Sequence, residues 1–264
     1  MKEMRHKIII FILGLAAMVC SQEVMAQHTL GFTMGYGMSN GRLQPEKEMK
    51  ALWGSYTGGL SWRYYTAQRF VGGFGIDLEF LQQGFSFAQN TAQVEDPSEY
   101  IYYTRKVNSL VMPIVWQPHF YLLHHRIRVY FEAAATFSYN LSSTYENGMA
   151  QTKGDYEFKL ARDNRWGYGL AGGAGISVLI KQFEINVRAR YYFGYSDIVR
   201  NRNKYADNTM DGPENPFYAT PLRSPLDNMT ISVGMSYRFN KEGFKSWKPR
   251  QKKAKNKEVF KFGL

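Results

Sequence analysis

Cysteine is almost missing from this sequence: there is one among 264 residues, Cys20, inside the N-terminal segment discussed below. Beyond that segment no disulfide and no thiolate metal site can form. Proline is sparse, with nine residues, and four of these (Pro213, Pro216, Pro221 and Pro225) share one stretch, so long segments elsewhere are free to run as strands. After residue 26 nothing approaches the roughly 18 consecutive apolar residues of a spanning helix, and mean hydropathy is −0.41. If the chain crosses a membrane, it crosses with strands.

What is abundant points the same way. Aromatic residues make up 16% of the chain (19 Tyr, 18 Phe, 5 Trp) and glycines number 24, which suits a barrel with aromatic girdles and tightly packed lumen positions. Residues 1–26 read as a targeting segment. Lys2, Arg5 and Lys7 precede the apolar run 8–19, and Val24-Met25-Ala26 supplies a small-residue cleavage site. Ala17-Met18-Val19 lacks the small residue that lipid attachment at Cys20 requires. Cleavage after Ala26 discards Cys20, leaves Gln27 first, and keeps enough chain for eight strands of about 10–14 residues.

The clearest period-two pattern runs through residues 166–195. Trp166, Tyr168, Leu170, Ala174, Ile176, Val178 and Ile180 alternate mostly with Gly, Ala and Ser. Beyond Lys181-Gln182 the apolar set moves to Phe183, Ile185, Val187, Ala189, Tyr191, Phe193 and Tyr195, with Glu184, Asn186, Arg188 and Arg190 between them. Two strands therefore meet at a tight turn, greasy on one face and rich in glycine and charge on the other. That polarity fits lipid outside and a polar lumen inside, and because an open edge cannot survive in lipid, the strand series must close. Six more strands are predicted at 28–39, 52–65, 70–81, 105–117, 127–141 and 228–239. The fold class is all-β: an eight-stranded antiparallel transmembrane β-barrel over 27–240, between a signal peptide (1–26) and a basic tail (241–264). Pro113 lies in phase with the inward set of its strand and predicts a bulge or bend there. Long and short connections alternate. Short turns in the periplasm and long loops outside then leave both ends of the mature barrel periplasmic.

The chain resembles a known family at several of these strands. NSLVMPIVWQ at 108–117 is similar to the "YLEIPLLLKY" strand of the eight-stranded outer-membrane barrels of Bacteroidota, the PorT-like or porin-family proteins, themselves OmpA/OmpX-like barrels. The hairpin resembles that family's "G…GAGIEY…LEARYNLGL" segment at 167–175 and 184–194, and ISVGMSYRF at 231–239 its closing strand. Val111 and Met112 depart from the more polar pair that precedes the proline in the family. The resemblance implies an integral outer-membrane protein more firmly than a task. A structural or interaction role with external contact loops is expected, an accessory subunit of the type IX secretion system is the alternative that the resemblance admits, and a small pore is a third reading.

The candidate site is the lumen. Arg63, Asp77, Glu79, Arg128, Glu132, Glu184, Arg188, Arg190 and Arg238 all fall on inward positions, and Asp77, Glu132 and Arg188 lie at similar heights above the short turns. Eight strands enclose a space that side chains can fill, so these groups predict an acid–arginine plug, since an unpaired buried charge is costly. A narrow conducting path is the competing reading. Asp77 and Glu79, two apart on one face, have the composition of an acid/base pair or a cation site. No histidine lies near them in the pattern, so neither catalytic residues, metal ligands nor cofactors are expected. Gly167, Gly169 and Gly172 spell GxGxxG inside a strand rather than between strand and helix, which removes the nucleotide reading. The tail holds nine Lys/Arg against Glu242 and Glu258, a net +7 of the chain's +11. Lys248, Arg250, Lys252, Lys253, Lys255 and Lys257 form its centre. Such a run is either a solvated end or a dock for anionic headgroups, peptidoglycan or an acidic periplasmic or secretion-system partner. Nucleic acid is no target in that compartment, and a monomer surrounded by outer-membrane lipid is expected.

Overall fold

The computed structural model describes residues 27–65, 72–89, 101–123, 126–160, 162–200 and 221–239. The expected signal peptide, the basic tail, the expected turn 66–69, the first two positions of the predicted strand 70–81, and His124-His125 lie outside these residues. Eleven strands are present among them: β1 (Gln27–Gly41), β2 (Met49–Lys50), β3 (Leu52–Tyr65), β4 (Gly73–Ala88), β5 (Tyr102–Gln117), β6 (His119–Leu122), β7 (Ile127–Asn147), β8 (Thr152–Asp155), β9 (Trp166–Ile180), β10 (Phe183–Asp197) and β11 (Pro225–Arg238). Eight of them form a closed ring in the order β1-β3-β4-β5-β7-β9-β10-β11. The ring closes where β1 pairs antiparallel with β11, from Thr29↔Arg238 to Gly41↔Leu226. Short β2 pairs with β4, and β6 and β8 pair with β7.

The alternation read from the sequence becomes inside and outside. Along β1, Met34 is 62% exposed while neighbouring Thr33 is 6% exposed, and the same contrast repeats around the ring. Two aromatic belts bound the apolar band: Tyr36, Tyr56, Tyr139, Trp166, Tyr168 and Tyr195 toward the long loops, and Trp62, Trp116, Phe183, Tyr237 and Phe239 toward the short turns. Within the belts, ring pairs such as Tyr139–Trp166 (4.8 Å) and Phe183–Tyr237 (5.5 Å) pack together. From Phe183 to Phe193 is about ten residue steps, roughly 33 Å of strand, or about 25 Å of height at a tilt near 40°. That is the thickness an outer-membrane barrel needs.

Several strands run past this band, a departure from the sequence expectation. Predicted strand 70–81 extends as β4 to Ala88, 105–117 begins as β5 at Tyr102, and 127–141 continues as β7 to Asn147. The crossover to polar surface is a ladder of outward side chains: Gln82 Nε2 donates to Asn108 Oδ1 at 3.0 Å, and Asn108 Nδ2 donates to Ser142 Oγ at 3.0 Å. Above it the outer face is polar (Thr104, Lys106, Thr144, Glu146), and the inner face turns apolar. Phe85, Phe87, Tyr103 and Val107 pack there with Leu43, Ile198, Val199 and Leu226 in one buried cluster. Polarity therefore inverts along single strands, because the solvent outside them changes from lipid to water.

Two local expectations are corrected. Of the bulge or bend predicted at Pro113, the bulge is not there: Pro113 pairs with Thr136 of β7, while the β5–β7 register shift falls between Asn108 and Ser109. Proline, with no N–H to give, instead coincides with a break in the β4–β5 ladder, which skips from Ile76↔Ile114 to Glu79↔Val111 without changing register. The connection 118–126 is also not all loop, since β6 carries the β5 path onward beside β7, His119 opposite Tyr130. One bulge was not foreseen: Gly54 (φ 87°) is the extra residue where the β1–β3 register shifts between Gly37 and Met38. Gly54→Ala is expected to cost about 1–2 kcal/mol, visible as a lower urea midpoint for the detergent-folded barrel, whereas Gly58→Ala, whose added Cβ would meet nothing closer than 3.5 Å, is the control.

Candidate functional site

The lumen is built from odd-and-even arithmetic on four strands. β3 turns Arg63 inward, β4 turns Asp77 and Glu79, β7 turns Arg128 and Glu132, and β10 turns Glu184, Arg188 and Arg190, all of them buried. Glycine interleaved with this set makes room for it. A Cβ on Gly75 would lie 2.6 Å from Arg63 Cδ, and one on Gly175 would collide with the Tyr130 ring.

Three acids and three arginines meet at one level. Asp77 is gripped by Arg63 through an Nη1–Oδ1 contact and an Nη2–Oδ2 bond of 2.9 Å, and by Arg190 Nη2 at 3.0 Å and Arg188 Nη1 at 3.3 Å. Glu79 receives Arg188 Nη2 at 2.7 Å, Arg190 Nη1 at 3.1 Å, and the Tyr192 hydroxyl. Glu132 receives Arg190 through Nη2 at 2.6 Å and Nε at 2.9 Å, with Gln117 Nε2 at 3.3 Å. Arg63 Nη2 also reaches Glu132 at 3.7 Å. The cluster is neutral, and its members come from β3, β4, β7 and β10, so it crosses the interior from one wall to another. Charge-assisted bonds of this density make it stiff.

The remaining predicted residues stand apart from that cluster. Arg128 and Glu184 form their own ion pair nearer the short turns, with Arg128 Cζ 4.0 Å from the centre of the Tyr65 ring. Arg238 donates to the Lys181 carbonyl. The tail residues Lys248 to Lys257 lie outside the described residues.

The second seal, at the long-loop end, was missed by sequence reasoning. Besides the apolar cluster it contains Arg105, buried and stacked 3.4 Å from the Tyr156 ring centre. Its Nε donates to Ser143 Oγ at 3.0 Å and its Nη1 reaches Asp163 Oδ1 at 3.4 Å. The Tyr156 hydroxyl donates to the same Asp163 at 2.8 Å, and burial pushes that phenol above its ordinary pKa. Tyr156 and Asp163 are thus bound into the mouth of the barrel. The only available signal was the odd-numbered run Phe85, Phe87, Tyr103 and Val107.

A closed, even-stranded antiparallel barrel with an apolar outer band, two aromatic belts and a charged interior is an integral β-barrel of an outer membrane. The sequence matches the family model "Outer membrane protein beta-barrel domain" over residues 21–200, and the chain belongs to that family. No curated protein matches it. Similar solved structures include Ail, the attachment invasion locus protein of Yersinia pestis (16% identity, TM-score 0.34, 81% of this chain and 99% of that one). Others are Neisserial surface protein A (10%, 0.36, 81% and 99%) and the N-terminal β-barrel domain of Pseudomonas aeruginosa OprF (10%, 0.32, 81% and 100%). Family membership rests on the 21–200 match.

Proposed function

We propose that this outer-membrane protein is a sealed barrel of structural and interaction type: it conducts nothing, catalyses nothing, and presents its long connections as a contact surface. The observation that carries this reading is the neutral cluster of Asp77, Glu79 and Glu132 with Arg63, Arg188 and Arg190, which spans the lumen and satisfies its own charge. The acids spend their oxygens on guanidinium groups, which leaves them poor proton carriers or metal ligands. The alternation of short and long connections supports short turns in the periplasm and long loops outside. In that orientation the +7 tail is periplasmic, placed to engage an anionic surface or partner there.

Conductance tests the seal. Purified protein in planar bilayers is expected to show no steady current in symmetric 1 M KCl (about ten times a common buffer's ionic strength). Steady, reproducible steps from the wild-type chain would refute the reading in favour of a small pore.

A further inference from the structure

We propose that the chamber above the plug binds the hydroxyl head of an uncharged, unbranched amphiphile, admitted sideways from the bilayer interface between β9 and β10. The barrel wall has a seam there. The β9–β10 ladder stops at Gly169↔Gly194, although β9 runs on to Trp166 and β10 to Asp197. On its other edge β10 skips from Phe193↔Asp227 to Asp197↔Pro225, so Tyr195 and Ser196 belong to neither ladder. A side chain bridges the seam instead: Ser196 Oγ accepts from the Tyr168 N–H at 2.6 Å and donates to the Tyr168 carbonyl at 3.1 Å. The two chain segments meet again above it, where the Asn164 N–H donates to the Ile198 carbonyl at 3.0 Å.

A cavity of about 50 Å³ lies at this seam. Outward Trp166, Tyr168 and Phe193 line it together with inward Leu81, Val111 and Ser138, and both faces share one cavity only where it passes through the wall. Below, Leu81, Val111 and Tyr192 pack as an apolar collar whose tyrosine donates to Glu79 of the plug. Above, Ile198 and Leu226 belong to the buried cap. The mouth lies in the outer aromatic belt, the zone where molecules with one wet and one apolar end collect. The polar end of the ligand is set by the hydroxyls. Ser138 has no hydrogen-bond partner among the described residues, and its Oγ lies 2.4 Å, that of Ser196 3.1 Å, from the position a Cβ on Gly167 would take. The bare glycine keeps clear the spot on which both converge. Asp197 also lines the cavity, paired with Arg223 at 3.1 Å; its charge opposes a carboxylate head but not an alcohol. At about 10–15 Å³ for each water-sized atom the chamber takes roughly four, so the head and first carbons enter and the rest of the chain stays in lipid. An aromatic ring, which needs about 150 Å³, is excluded.

The test is photolabelling of the full chain refolded into phospholipid vesicles. The probe is dodecanol with a diazirine beside its hydroxyl carbon, compared with the carboxylic acid of the same chain, and adducts are mapped by mass spectrometry. The alcohol is expected to label Leu81, Val111 or Ser138 saturably, and the acid only lipid-facing residues such as Trp166 and Tyr168. Ser138→Ala should raise the half-saturating alcohol about fivefold, the loss of one neutral hydrogen bond. Val111→Phe fills the chamber from the far wall and should remove the inward adducts while leaving the outward ones. Alcohol adducts confined to lipid-facing residues overturn the proposal, as do inward adducts formed equally by alcohol and acid. So does a half-saturation that is the same in Ser138→Ala as in the wild type, and this outcome decides the matter even if Val111→Phe fails to fold.

Discussion

Glu132→Ala is expected to remove about 3–5 kcal/mol from the stability of the folded barrel. Glu132 accepts from Arg190 at 2.6 and 2.9 Å and from Gln117 at 3.3 Å, so its loss leaves three arginines at one level with two acids. The cost comes from the stranded guanidinium charge more than from the lost bonds. Removing charge symmetrically separates these contributions: Glu132→Met with Arg190→Met keeps the cluster neutral and should cost much less than the sum of the two single changes. Urea titration of the lipid-reconstituted protein, read by the mobility difference between folded and unfolded forms on a cold gel, measures all four proteins. A Glu132→Ala variant within about 1 kcal/mol of wild type would mean that water reaches this level of the lumen and screens the arginines.

The second large effect is on the outer wall. Val233 is 51% exposed and pairs with Met34 on one side and Val187 on the other, midway between the belts. Val233→Arg should destabilise by about 2–4 kcal/mol, the price of a guanidinium at the bilayer midplane. Ser142→Arg, on the polar ladder above the band, should stay within about 0.5 kcal/mol. Equal costs at the two positions would show that the band has been placed at the wrong height.

Strands whose two faces both meet a constant environment were legible from the sequence. Residues 52–65 and 166–180 were bounded as β3 and β9 are, since lipid on one side and lumen on the other hold their alternation steady to the end. β4, β5 and β7 were cut short for the opposite reason. Past Gln82, Asn108 and Ser142 the outer residues become polar, and a strand with water outside and Phe85 or Val107 inside no longer matches the membrane pattern. The lumen acids and arginines were all identifiable by phase. Their sorting into a cluster of six and a separate Arg128–Glu184 pair was not, because it depends on the stagger of strands around the ring. The Arg105–Asp163 contact joins residues 58 apart, one of them in a connection with no periodicity, and no local signal announces it.

The inversion of polarity at the Gln82–Asn108–Ser142 ladder also fixes how deeply the protein sits. A barrel whose outside were uniformly greasy could ride up or down as the bilayer thickens or thins. Here, sinking by one pair of residues would drag amides and hydroxyls into hydrocarbon, and rising by as much would lift Phe80 and Leu110 into water. The ladder works as a waterline, and it holds Tyr156 and Asp163, packed with Arg105 in the mouth, at a set height above the lipid.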